Sequence, residues 1–263
     1  MANLKLVKTG QKHINMSTKQ TAIIDGDMIV YRSAFSSEKE CKWDEDVWTL
    51  QTSMSDMKNI VDETINSILR DTECDDYIVV FSDKTNFRYE IFPNYKSNRK
   101  DKRKPLALKE ITKWVFENHK GICWKNLEAD DVVGMLCCSN SNYVAVSGDK
   151  DFYTLPCVFF NFLKGETSNT SLEEANYNHL VQSMSGDTVD GFSGASGIGP
   201  KTAQKLLDKN GATWETVVQA YESKDQTEEE ALLNAQLSYI LRDEKEYNKK
   251  KGTVNLWKPQ KQK

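Results

Sequence analysis

Residues 77–83 read Tyr-Ile-Val-Val-Phe-Ser-Asp, a largely apolar run of five that stops at a serine and an aspartate. A run this short with no polar face fits a strand buried on both sides, as in a parallel sheet. Similar runs lie on either side of it. Thr21–Ile24 ends at Asp25-Gly26-Asp27, Tyr143–Val146 ends at Ser147-Gly148-Asp149-Lys150-Asp151, and Val158–Phe162 is a further strand. Between them, apolar residues step at helical spacing. Met28, Ile29, Val30, Ala34 and Phe35 form one such set, and Met54, Met57, Val61, Ile65, Ile68 and Leu69 another over 53–70. Leu108, Ile111, Trp114 and Val115 run toward His119 with Gly121 as a stop, and Val132, Val133, Met135 and Leu136 follow. Strands alternating with amphipathic helices predict an α/β domain over 21–165, with a mainly parallel central sheet flanked by helices. Residues 36–51 alternate between polar and aromatic and fit no element. Lys164–Asn178 reads as a polar loop ahead of a helical region over 166–263, and residues 1–20 as a flexible lead-in.

Acids follow three of these strands. Asp25, Asp83, Asp149 and Asp151 lie at strand carboxyl ends, where open α/β sheets carry their functional groups. Leu127-Glu128-Ala129-Asp130-Asp131 opens a helix, and Asp187 and Asp190 come later. Local structure explains part of this, since Asp25 or Asp27 suits an N-cap and a helix dipole favours acids at its N-terminus. Repetition at one end of a sheet points further, to a single acidic site. Carboxylates packed together repel one another unless cations intervene. The six cysteines form no CxxC pair and sit mostly in apolar segments, and the three histidines are isolated. Zinc is therefore disfavoured. An all-oxygen donor set points to magnesium or manganese.

A chain of 263 residues can bury a sizeable core, and 38% hydrophobic with 28% charged residues describes an ordinary, rather polar protein. No apolar stretch approaches the length of a membrane span, and Met1–Gln20 lacks the hydrophobic centre of a signal peptide, so an intracellular protein is expected. A net charge of −4 argues against a nucleic-acid binder until the distribution is read. Asn94–Lys104 reads NYKSNRKDKRK, with Asp101 its only acid. Within this strip over 93–107, Tyr95 offers a stacking face, and Lys96 and Arg99 offer phosphate contacts. Lys100, Lys102, Arg103 and Lys104, with Lys84 upstream, extend the positive charge. An acidic site beside a basic strip suits a polyanion held by one and cut at the other.

Gly197-Ile198-Gly199-Pro200-Lys201-Thr202-Ala203 adds a second anchoring feature. A GxG turn before a helix that opens with proline exposes backbone amides at a helix N-terminus, a seat for phosphate, and Lys201 and Thr202 stand beside it. The whole unit has the form of a helix-hairpin-helix over 190–207. Trp214–Tyr221 and Glu228–Leu241 read as two more helices, and Val254–Trp257 as a terminal strand or tail.

In order along the chain, IIDGD, VVFSDK, PNYKSNR, LEADD, SGDKD and GDTVDGFSGASGIGPKTA resemble the flap endonuclease or 5′-nuclease family, PIN-like in fold. AQLSYILRDEKEYN and NLWKP extend the likeness to the 5′→3′ exonucleases of small-tailed bacteriophages. The resemblance implies a phosphodiesterase with two divalent ions, magnesium with manganese able to substitute, ~3.5–4 Å apart. It implies Asp25, Asp83, Glu128 and Asp130 around one ion, and Asp131, Asp149, Asp151 and Asp190 around the other, with Asp187 near it. Tyr95, Lys96 and Arg99 would stand in an arch over the site, and the Gly197–Ala203 hairpin would grip duplex DNA, in relatives often around potassium. The short span from Asp83 to Glu128 implies a reduced arch, and with it exonuclease action on duplex 5′ ends and RNA primers, flap cutting being secondary. A monomer in the cytoplasm of an infected bacterial host is the expected setting if the source is viral. A PIN-like ribonuclease and a non-catalytic DNA-binding protein are the alternatives, and the hairpin argues against the first.

Overall fold

The computed structural model describes residues 19–99 and 101–259. The lead-in over 1–18, Lys100 and the last four residues lie outside them. The chain runs through strand β1 (Thr21–Asp25), helix α1 (Gly26–Ser36), the hairpin β2 (Lys39–Asp44) and β3 (Val47–Gln51), and helix α2 (Met54–Thr72). Next come β4 (Asp76–Phe81), the short α3 (Phe87–Ile91), α4 (Leu108–Asn118), β5 (Gly121–Cys123) and α5 (Ala129–Ser139). β6 (Tyr143–Ser147), β7 (Val158–Asn161) and β8 (Glu166–Asn169) complete the main sheet. Helices α6 (Leu172–Ser185), α7 (Pro200–Asn210), α8 (Trp214–Glu222) and α9 (Glu228–Ser238) follow, and a small hairpin of β9 (Tyr247–Asn248) and β10 (Thr253–Val254) closes the described chain.

The sheet has the order β5-β4-β1-β6-β7-β8, parallel throughout except for the antiparallel edge strand β8. Its central strands are apolar on both faces because both faces are covered. On β1, Ala22 and Ile24 meet α1, α2 and α4, while Ile23 meets α5 and the C-terminal tail. β4 divides Val79 and Phe81 from Val80 in the same way, and β6 divides Val144 and Val146 from Ala145, the period of two that a strand imposes. Full burial of each such aliphatic side chain contributes about 1.5–3 kcal/mol. Gly134 lets the tail approach α5, since a Cβ there would lie 2.3 Å from the Leu241 carbonyl oxygen. Helices α6, α7 and α8 share a smaller core of Met184, Ala203, Leu207, Val217 and Tyr221.

Four expectations are corrected. Residues 39–51 form an exposed antiparallel hairpin with a bulge at Lys42–Asp44. Gly121 opens β5 rather than merely ending α4. Lys164–Asn178 is not a loop, since β8 extends the sheet to Asn169 and α6 starts at Leu172. Its signal was present in the sequence: Ser171 and Glu174 form a capping box, each side chain accepting from the other's backbone amide. Finally, α9 ends at Ser238, and Tyr239, Ile240 and Leu241 leave it as extended chain in the main core. Among the described residues, no helix is long and apolar enough to cross a membrane.

Candidate active site

A parallel sheet brings the carboxyl ends of its strands to one edge, and the acids gather there. Asp25 ends β1 and caps α1, accepting from the Met28 amide at 3.2 Å and from the Ser147 hydroxyl of β6 at 2.9 Å. Asp27, in the first turn of α1, accepts from the Ser82 amide at 3.0 Å. Glu128 caps α5 and Asp130 lies in that helix's first turn. Asp149 accepts from the Asp151 amide at 3.0 Å and starts a 3-10 turn beyond β6. Asp187 holds the turn that follows α6 by accepting from the Val189 amide at 2.7 Å and the Asp190 amide at 3.3 Å.

The acids divide into two electrostatic groups. Asp25, Asp130 and Asp151 form no ion pair with lysine or arginine among the described residues. Burial first, and the charge of Asp27 second, push Asp25 up to about 7. Burial, then Asp25 and Asp149, hold Asp130 well above the carboxylate range. Burial, then Asp149 and Asp187, raise Asp151 to about 7. Glu128 and Asp190 instead face cations. Lys96 Nζ lies 2.5 Å from Glu128 and 3.7 Å from Asp190, and Arg99 pairs with Asp190 at 2.5 Å. Burial alone would raise Glu128, but Lys96 and Arg88 outweigh it and lower it. For Asp190 burial prevails over Lys96 and Arg99, and its pKa is raised. Among the described residues no three acid, histidine or cysteine side chains converge as a ready-made metal cage. They ring a basin instead, with lysine and arginine paired to the acids on one side and no such pair on the other.

Several expected site residues lie elsewhere. Asp131 does not face the basin. It is 0% exposed, and Arg88 forks onto it at 2.7 and 2.9 Å, while the amides of Glu128 and Leu241 donate to it at 3.3 Å. With its lone pairs taken, it is an internal counterion. Asp83 turns to the Asn126 amide and the Thr85 hydroxyl, which lower its pKa. Tyr95 is only 2% exposed and cannot stack on a base. Its hydroxyl lies 3.0 Å from Glu128 and 2.9 Å from Asp190, able to donate to either. Arg103 forks onto Glu38 at 2.7 and 2.8 Å, which holds that carboxyl down to about 2.

Lys84, Lys102 and Lys104 are exposed, as are Gly197, Gly199, Lys201 and Thr202 at the start of α7. Gly197 has φ +72 with nothing near a Cβ, so backbone conformation is what favours glycine there. Lys100 lies outside the described residues. Arg88 was missed altogether. The signal for it is an arginine set among Phe87, Ile91 and Phe92, where a buried charge needs a partner.

A family model described as the 5′-3′ exonuclease, N-terminal resolvase-like domain, matches residues 20–181. The chain belongs to the 5′-3′ exonuclease family. This exonuclease-family chain is 27% identical to the exodeoxyribonuclease of Enterobacteria phage T3, over 98% of this chain and 99% of that one. It is 28% identical to the exonuclease of Escherichia phage T7, over 98% and 100%. In fold it is similar to the T5 5′-exonuclease solved with bound zinc, with a TM-score of 0.65 and 20% identity over 84% of this chain and 89% of that one. It is a nuclease of the hydrolase class.

Proposed function

We propose that this exonuclease acts at the 5′ ends of duplex DNA, removing nucleotides and RNA primers and cutting flaps secondarily, with two divalent ions. Magnesium is the expected ion, with manganese able to substitute. The observation that carries the proposal is the unpaired half of the basin. Asp25 is buried and Asp130 and Asp151 are part-buried, none of the three forms an ion pair with a described lysine or arginine, and the charge of Asp149 acts on all three. Their donor set is oxygen only, which suits a hard cation. Asp25, Asp27, Glu128, Asp130, Asp149, Asp151, Asp187 and Asp190 are the residues that would hold the two ions. When bound, the ions would supply activation of the attacking water and neutralisation of phosphate charge.

The remaining parts of the reaction fall to the chain itself. Lys96 and Arg99 stand over the basin, and their cationic groups are suited to the charge that builds on the scissile phosphate. Tyr95 is a positioning residue, keeping Glu128 and Asp190 side by side through one hydroxyl. Lys96 has φ +53 and its amide donates to the Asp190 carbonyl at 2.8 Å, which supports a tight link between the arch and the turn after α6. The amides at the start of α7, with Lys201 and Thr202, would hold the duplex backbone, where potassium is the expected ion. Products would carry a 5′-phosphate and leave a 3′-hydroxyl.

The test is a divalent-ion titration of cleavage on 5′-labelled blunt, gapped and flapped DNA, with single-stranded RNA as comparison. Magnesium-dependent release from the duplex 5′ ends, exceeding cleavage of RNA, is expected. Pure protein that leaves every labelled duplex intact in magnesium would refute the proposal.

A further inference from the structure

The β9–β10 hairpin turns through Asn248-Lys249-Lys250-Lys251-Gly252, and none of these lysines belongs to the basic strip or to the helix-hairpin-helix. All three are exposed. The turn is fastened to the protein. The Asn126 side chain donates to the Gly252 carbonyl at 3.2 Å, the Tyr247 hydroxyl donates to the Lys125 carbonyl at 2.7 Å, and Trp124 stacks on Tyr247. Lys249 lies 3.8 Å over the Trp124 ring and pairs with Glu244 at 3.2 Å. Lys84 and Lys125 are exposed on the two loops that meet here, since Asn126 donates its amide to Asp83. Among the described residues Lys84, Lys125, Lys250 and Lys251 form no ion pair. The opposing charges include Asp83, Glu90 and Glu244, with Asp243 paired to Lys245 and Glu246 accepting from the Arg242 and Asp243 amides. Asp83 and Glu90 accept from Asn126, and Glu244 is taken by Lys249.

Topology sets where this rim stands. The loops after β4 and β5 leave the same edge of the sheet as those after β1 and β6, because all four strands are parallel. β5 is the edge strand two places from β1, about 10 Å away at ordinary strand spacing. Helices α6 and α7 attach on the other side, where α6 packs against the turn after β6. The acidic basin therefore lies between the rim and the helix-hairpin-helix. B-DNA offers a phosphate per strand about every 3.4 Å of axis, so the rim stands roughly three base pairs from the basin.

We infer that the Lys249–Lys251 turn, with Lys84 and Lys125, is a second backbone-binding surface that holds nucleic acid on the far side of the cut from the helix-hairpin-helix. It rests on the nuclease reading above. Its contacts are to phosphate and carry no base preference.

The test is anisotropy binding of wild type and Lys250→Gln/Lys251→Gln, without magnesium, to two labelled substrates across a salt series. A nicked duplex has DNA on both sides of the cut, and a blunt duplex has it on one. For the nicked duplex the variant should lose about tenfold in affinity at 0.1 M salt, and its log–log salt slope should fall by about 1.8, two contacts' worth. The blunt duplex should be bound as by wild type. An unchanged slope on the nicked duplex overturns the inference, and so does an equal loss on both substrates. Wild-type binding and cleavage in the same series separate this result from failure of the nuclease reading. Lys201→Gln, which should weaken both substrates, serves as the positive control.

Discussion

Replacing Arg88 with methionine tests the internal counterion most directly. In the folded protein the guanidinium meets Asp131 at 2.7 and 2.9 Å and donates to the Leu237 and Tyr239 carbonyls at 2.9 and 2.7 Å. Methionine keeps much of the volume and removes every one of these bonds. Asp131, 0% exposed, is left with two backbone donors and no cation. Breaking a buried pair from one side costs about 3–5 kcal/mol. In a chain of this size that corresponds to a fall in Tm of roughly 6–20 °C, at 2–4 °C per kcal/mol. Arg88→Met/Asp131→Leu should recover most of the loss, because no unpaired charge then remains. Urea unfolding followed by tryptophan fluorescence would measure both, with divalent-ion binding by calorimetry on Asp131→Asn beside it. The reasoning fails if Arg88→Met costs less than about 1 kcal/mol. It fails equally if Asp131→Asn removes ion binding while leaving stability intact, for then Asp131 serves the basin.

Asp25→Asn or Asp130→Asn should abolish detectable magnesium-dependent cleavage yet raise the melting temperature of the metal-free protein, since the amide removes repulsion from Asp27 in the first case and from Asp25 in the second; a lowered Tm with retained activity would contradict this. Lys96→Ala should reduce kcat by about 10²–10³-fold in single-turnover assays, while Tyr95→Phe should cost less because it only loosens the spacing of Glu128 and Asp190. His179 is buried against the Ala235 carbonyl, and burial pushes its pKa from 6.5 down to about 4. The unfolded chain therefore binds the extra proton between those values, so the contribution of neutral His179 is complete above pH 6.5 and is lost as pH falls through 4, by about 3 kcal/mol in all. Urea titrations at pH 4.5 and 7.5 should show a smaller pH difference for His179→Gln than for wild type, and equal differences would remove His179 from the account.

The sequence by itself determined the sheet and its acidic edge. Runs such as Ile23–Ile24 and Val79–Phe81 are apolar on consecutive residues, and only a strand covered on both faces uses them fully. Acids placed just after such runs must share one edge once the strands are parallel, so the gathering of Asp25, Asp130, Asp149 and Asp151 was legible. Short or polar elements were not. β5 has three residues, and the β2–β3 hairpin buries too little to leave a pattern. Which acid faces the basin was decided by tertiary structure alone. Asp130 and Asp131 are neighbours in sequence, but successive residues on a helix point about 100° apart. Asp130 therefore opens into the basin, whereas Asp131 turns inward to Arg88, 43 positions earlier. Tyr95 and Lys96 divide in the same way, one hydroxyl buried against two carboxylates and one ammonium above them. Periodicity records how an element is buried, and it contains nothing about which distant charge will meet a given side chain.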